Sequence, residues 1–259
     1  MNPPQRDNRS TFHQGLDEVT GDLVRLAAMV NEVITLGTEA LLEVDLDTAQ
    51  TLIDNDDVLD ALSIDVEERC FHLLALHQPV AGDLRQLVAS LKINAEIERS
   101  GDLVVNIAKA TRRIYGTEFT PALRGHIQQM SDEASRLCRL AVDAYAEHDG
   151  SLGAALDDID DRLDTIHAEF IQAVFEAHRT DAIDLQVAVQ LALVGRYYER
   201  IGDHAVNIGE RVRFMADGYL PEHAGAAKAR ARNDWEQPEL TAPWNGTSED
   251  LDPDDPRFR

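Results

Sequence analysis

With 259 residues and 44% apolar side chains, the chain has enough material for a sizeable core, which excludes disorder throughout. Aromatics make up only 5% while Ala, Leu and Val abound, a balance that favours helix over sheet. A formal net charge of −24 repels phosphate backbones, so no nucleic-acid partner is expected. It also opposes approach to an anionic membrane surface, although a local basic patch could dock on a protein at that membrane.

The opening residues MNPPQRDNRSTFHQG hold no apolar segment of the secretory kind. The longest charge-free apolar stretch, Leu185 to Gly195, falls far short of the ~18 residues of a membrane span. Cys70 and Cys138 are far apart and in no metal-binding spacing. These features predict a soluble, cytoplasmic protein that is peripheral to a membrane only through partners.

In chain order, the apolar period predicts helices at about 10–43, 46–76, 79–115, 121–148, 151–178 and 181–216. Between Gln5 and Leu220 proline occurs only at Pro79 and Pro121, each ahead of a long periodic stretch, and both read as helix starts. Residues 221–259 mix Pro, Gly, Asp and Glu without an apolar period and read as a flexible tail, in which Trp235 and Trp244 are stray aromatics.

An internal repeat sets the architecture. EIERSGDLVVNI at 96–107 returns as YYERIGDHAVNI at 197–208, and Asp56, Asp57, Leu59 and Asp60 return as Asp160, Asp161, Leu163 and Asp164. A period near 100 residues is too long for a solenoid and marks a duplicated domain. The expected fold is all-α, two tandem antiparallel three-helix bundles at 1–117 and 118–220, followed by the tail.

Helical residues four apart share a face, and four carboxylate pairs have that spacing: Asp56 with Asp60, Glu98 with Asp102, Asp160 with Asp164, and Glu199 with Asp203. Glu98 and Asp102 fall within the apolar stripe of Leu84, Val88, Leu91, Ala95 and Val105. Glu199 and Asp203 fall within that of Leu185, Val189, Ala192 and Val206. Both pairs are therefore expected to face the core, with the Asp pairs of the preceding helices at the flank. Buried carboxylates must be compensated, and an all-oxygen donor set suits hard cations such as Mg, Mn, Ca or ferric iron. The alternatives are salt bridges with Arg99, Arg196 and Arg200, or acids that face solvent in a loosely packed groove. Gly101 and Gly202 stand mid-helix beside the acids, for close packing or ligand access, with packing preferred. His167 and His204 lack counterparts in the other repeat and read as satisfied or solvent-facing rather than as ligands. No catalytic triad, phosphate loop or Cys/His cluster is present in the spacing, so no enzymatic role is expected.

The paired acids, with PVAGDLR (79–85), ERSGDLVVNI (98–107), ERIGDHAVNI (199–208) and the opening RSTFHQGLDEV (9–19), resemble the PhoU family of phosphate-signalling proteins over about residues 9–216. The resemblance implies multinuclear iron or zinc clusters, with Mn or Mg as other candidates. One site would be Asp56, Asp60, Glu98 and Asp102, the other Asp160, Asp164, Glu199 and Asp203. It implies a negative regulator of the phosphate-starvation response, an adaptor between the ATPase subunit of the phosphate ABC transporter and a sensor histidine kinase. A homodimer is the expected assembly. The competing class, a di-metal carboxylate enzyme, builds its site from two Glu-x-x-His motifs, and only Asp164-x-x-His167 comes near that pattern.

Overall fold

Four of the helix starts are fixed by an acceptor side chain that takes up free N–H groups of the first turn. Asp45 accepts from Asp47 and Thr48, Asp149 from Ser151 and Leu152, and Asp184 from Val187, while Thr120 accepts from Leu123 ahead of Pro121. The computed structural model describes residues 5–218. Its helices are α1 (Gln5–Glu43), α2 (Leu46–Asp54), α3 (Asp56–His77), α4 (Ala81–Arg113), α5 (Pro121–Ala146), α6 (Gly150–Arg179) and α7 (Leu185–Asp217). The expected tail at 221–259, with Trp235 and Trp244, lies outside the described residues. Among the described residues no helix is long and apolar enough to cross a membrane.

Three boundaries differ from the sequence reading, the first being that α1 begins at Gln5 rather than near 10. The helix expected over 46–76 is broken at Asn55 (φ −98°, ψ 6°), which closes α2 through its N–H to Thr51 and opens α3. The last helix starts at Leu185 rather than near 181, because Asp184 caps it and Ile183 turns into the core. Pro121 does sit in the first turn of α5, whereas Pro79 stands just before α4.

The first bundle is α1, the α2–α3 pair and α4; the second is α5, α6 and α7. They meet where α4 packs on α7 and α1 on α5. One apolar core runs through both, including Leu23, Ile34, Leu87, Ile107, Leu123 and Phe170, each worth roughly 1.5–3 kcal/mol when fully buried. Buried tyrosines need a partner for the hydroxyl. Tyr145 reaches Ser90 (2.7 Å), and Tyr198 reaches Thr38 (2.6 Å), which donates on to Ser131 (2.8 Å). Both cysteines are free and buried, and burial pushes their thiols up to about 12.

The two bundles differ in how closely the outer helix approaches. On α6 and α7, Gly153 and Gly209 lie backbone to backbone, since a Cβ on Gly153 would stand 2.6 Å from the Gly209 carbonyl oxygen. The first bundle has Ala49 and Ala108 at the equivalent positions. There a cavity of about 360 Å³ opens beside Gly101, lined by Leu52, Val58 and Val104 among others.

Candidate metal centre

All eight candidate carboxylates come together, four in each bundle. Burial first, and then the Asp60 and Asp102 charges, raise the Asp56 carboxyl, with Lys109 opposing. Burial first, then Asp102 and Asp60, raise Glu98. The Asp pair on α3 and the acid pair on α4 therefore share one field. In the second bundle burial and the charges of Asp164, Asp203 and Glu199 push Asp160 to about 7. Glu199 is raised by burial and Asp203, against the pull of Arg196.

The acids do not face the core, as the stripes had suggested. The core face of α4 carries Leu87, Ser90, Ile97 and Gly101, whereas Leu84 is exposed and Val88, Leu91 and Ala95 are half-buried. On α7 the core is met by Val187, Leu191, Tyr198 and Ile201, and Leu185 and Val189 are exposed. Both acid groups consequently lie in grooves, on the flank of the inner helix. Asp102, Asp164 and Asp203 are exposed, Asp56, Asp60, Glu98 and Glu199 are half-buried, and Asp160 is buried.

The two groups are not equivalent. Position 95 is Ala in the first repeat, and its counterpart is Arg196 in the second. Arg196 pairs with Glu199 and stands 3.9 Å from Asp203. Arg99 instead turns to Glu96 (3.5 Å), and Arg200 forms no ion pair with these acids among the described residues. An arginine thus forms ion pairs with these acids only in the second group, while in the first Arg99 offsets Glu98 through its charge without pairing to it. Asp160 Oδ1 and Glu199 Oε2 are buried without a hydrogen-bond partner.

Gly202 supports this arrangement. A Cβ there would stand 2.4 Å from Asp160 Oδ1 and 2.7 Å from Leu163 Cδ2, so the missing side chain is what lets the Asp160 carboxylate lie on α7. At Gly101 the nearest such atom is Leu59 Cδ1 at 3.2 Å, and no acid oxygen is within reach. At Gly101 a side chain would meet mainly Leu59, which borders the cavity, so packing does not demand the glycine there, whereas seating of a carboxylate explains Gly202.

His204 is engaged at one ring nitrogen by a residue from the other repeat, and its Nε2 is buried without a hydrogen-bond partner. Its Nδ1 stands 2.6 Å from Glu96 Oε2, to which Asn207 also donates (3.1 Å). Burial would raise Glu96, but the bonds from His204 and Asn207 hold its carboxyl below the usual range. His167 is half-buried on α6, and burial, with Arg196 nearby, lowers its pKa. Sequence reasoning missed the Glu96–His204–Asn207 cluster, because its members are joined only when α4 packs on α7.

A hard cation fits this donor set in chemistry: eight carboxylates, two of them with orphaned buried oxygens, whose burial and mutual repulsion are offset only in part by Lys109, Arg99 and Arg196. As the side chains stand, no three His, Cys, Asp or Glu among the described residues are close enough to grip one ion.

A family model described as the PhoU domain matches residues 23–111 and 127–212, one match in each repeat. Among curated proteins, the chain is 36% identical over 214 residues to the phosphate-specific transport system accessory protein PhoU homolog 1 of Mycobacterium tuberculosis, covering 82% of this chain and 96% of that protein. It is 32% identical to homolog 2 of the same organism, covering 82% of this chain and 100% of that one. Among solved structures, the crystal structure of PhoU from Pseudomonas aeruginosa superposes with a TM-score of 0.74 at 25% identity, covering 80% of this chain and 100% of the other. The phosphate transport system regulatory protein PhoU from Streptococcus pneumoniae gives a TM-score of 0.74 at 23% identity, covering 81% and 98%.

Proposed function

This chain belongs to the PhoU domain family, and on that premise we propose that it is a regulatory adaptor of phosphate uptake. It connects the ATPase subunit of a phosphate ABC transporter to a sensor histidine kinase and holds the phosphate-starvation response off while phosphate is plentiful. The observation that carries this reading is the match across both repeats to phosphate-specific transport accessory proteins. An adaptor works by binding one state of its partner better than another, so it needs no catalytic step. The acting form is a homodimer in the cytoplasm.

The acid groups are assigned to multinuclear clusters of iron or zinc, with Mn or Mg as the alternatives. Asp56, Asp60, Glu98 and Asp102 hold one, and Asp160, Asp164, Glu199 and Asp203 the other. When bound, such cations would supply the positive charge that Lys109, Arg99 and Arg196 provide only in part. The protein's part is to turn the carboxylates toward one another against the burial and mutual repulsion that raise Asp160 and Glu199. In the second group Arg196 must also yield its contact with Glu199. Support comes from the raised carboxyls and from the orphaned oxygens of Asp160 and Glu199.

A reporter of a phosphate-starvation promoter in phosphate-rich medium tests the regulatory reading. Deleting the gene, together with any paralogue, is expected to switch the reporter on. A reporter that stays off in that strain overturns the reading.

A further inference from the structure

The two acid groups occupy matching places in the two repeats but meet positive charge differently. Ala95 stands where the second repeat has Arg196. Around the first group, Lys109 and Arg99 act on Asp56 and Glu98 through their charge, and Arg99 is drawn off to Glu96 (3.5 Å). Beside Ala95 a groove of about 620 Å³ stays open, with Asp60 and Glu98 in its walls.

In the second group one guanidinium lies across the acids. Arg196 Nη1 pairs with Glu199 Oε1, and Nη2 stands 3.9 Å from Asp203 Oδ2. Residues 196, 199 and 203 share a face of α7, so a single long side chain reaches both carboxylates. The compensation stops there. Asp160, only 8% exposed, keeps Oδ1 without a hydrogen-bond partner, and so does Glu199 with Oε2. These orphaned acceptors call for a further positive charge. The Arg196 side chain is itself 52% exposed, and an ion pair so open to water is weak enough to give way. A guanidinium and a multivalent cation also repel each other when placed among the same carboxylates.

We propose that Arg196 is a resident counter-cation of the second acid group, which holds Glu199 and Asp203 in the place of metal and is displaced when metal binds. It makes the second group the weaker of the two sites and the later one to fill. The first group has Ala95 at that position and no side chain to displace, so it fills first. The chain then responds to metal over two concentration ranges instead of one. This inference rests on the assignment of the acid groups to metal. A guanidinium that instead holds Glu199 ready for metal has the opposite consequence, because its removal weakens binding.

The test is equilibrium dialysis of the metal-stripped full chain against Zn(II), repeated with Mn(II), with bound metal read by elemental analysis. Glu98→Ala with Asp102→Ala leaves the second group to be read alone, and Asp160→Ala with Glu199→Ala leaves the first. The first group is expected to fill at the lower metal concentration. Arg196→Ala, added to the chain that keeps the second group, is expected to tighten binding there roughly fivefold, the worth of one partly exposed ion pair. Ala95→Arg, added to the chain that keeps the first group, is expected to weaken binding by a similar factor, and the open groove gives the new side chain room. Without metal, Arg196→Ala should be no more resistant to urea than the chain it was made in, so tighter binding does not come from a firmer fold. Unchanged or weaker binding in Arg196→Ala overturns the proposal, as does undiminished binding in Ala95→Arg, which decides the matter if the first variant unfolds. A second group that fills before the first overturns it too. If the unsubstituted chain binds neither cation, the metal assignment itself falls and takes this proposal with it, a result distinct from binding that ignores Arg196.

Discussion

Replacing Gly202 with Ala tests how the second acid group is seated. On helix propensity alone the change stabilises by about 1 kcal/mol, because Gly is the poorer residue in a helix interior. The added Cβ would lie 2.4 Å from Asp160 Oδ1 and 2.7 Å from Leu163 Cδ2, well inside contact distance. Leu163 is fully buried and has no space to retreat. Overpacking of this kind costs typically ~1–3 kcal/mol, so Gly202→Ala is expected to lose up to about 2 kcal/mol net and to lower Tm by up to about 8 °C. The internal control is Gly101→Ala, where the nearest atom is Leu59 Cδ1 at 3.2 Å beside a cavity into which it can shift. That variant should be as stable as the parent or slightly more so. The assay is thermal and urea unfolding of both variants without metal. If Gly202→Ala proves as stable as Gly101→Ala, the close seating of Asp160 on α7 is wrong.

The Asp160 carboxyl, pushed up to about 7 from 3.8 by burial and its acidic neighbours, makes metal-free stability depend on pH. The folded state binds the proton more tightly than the unfolded one, so this contribution is complete below about pH 4 and is lost as pH rises through about 7. Urea midpoints between pH 5 and 8 should therefore fall more steeply in the parent than in Asp160→Asn, and parallel curves would refute the assignment. His204→Ala leaves Glu96 in a largely buried place with Asn207 and, at longer range, Arg99. A loss of about 3 kcal/mol is expected in chemical denaturation, and a loss under about 0.5 kcal/mol, the range of an ordinary surface change, would show that the pair does not join the repeats.

The helices and their duplication were legible because they are written in local signals. The apolar period and the two internal prolines mark long helices, and the returning Glu-Arg-x-Gly-Asp phrase identifies the repeat. Asn55 gave no such signal, since an Asn inside a periodic stretch is compatible with helix until tertiary packing bends the chain there. The orientation of the acids was misread for a specific reason. Leu84, Val88, Leu91 and Ala95 have a flawless helical period, but so does the stripe of Leu87, Ser90, Asn94 and Ile97, and periodicity does not say which one meets the core. The replacement of Ala95 by Arg196 was visible on aligning the repeats and predicts the inequality of the two acid groups. The Glu96–His204 contact was not visible, because it joins residues 108 positions apart.

The most direct measurement of the assigned metal sites is elemental analysis of the protein purified without chelator, beside a variant carrying Asp160→Ala and Glu199→Ala. These substitutions remove the two carboxylates with orphaned buried oxygens. The parent is expected to carry iron, zinc, Mn or Mg at more than one ion per chain, as clusters in both bundles require. The variant should lose the share held by the second bundle while remaining folded, since uncompensated charge has gone with the ligands. A parent that is free of metal and takes up none on dialysis, or a variant with undiminished metal content, would contradict the account.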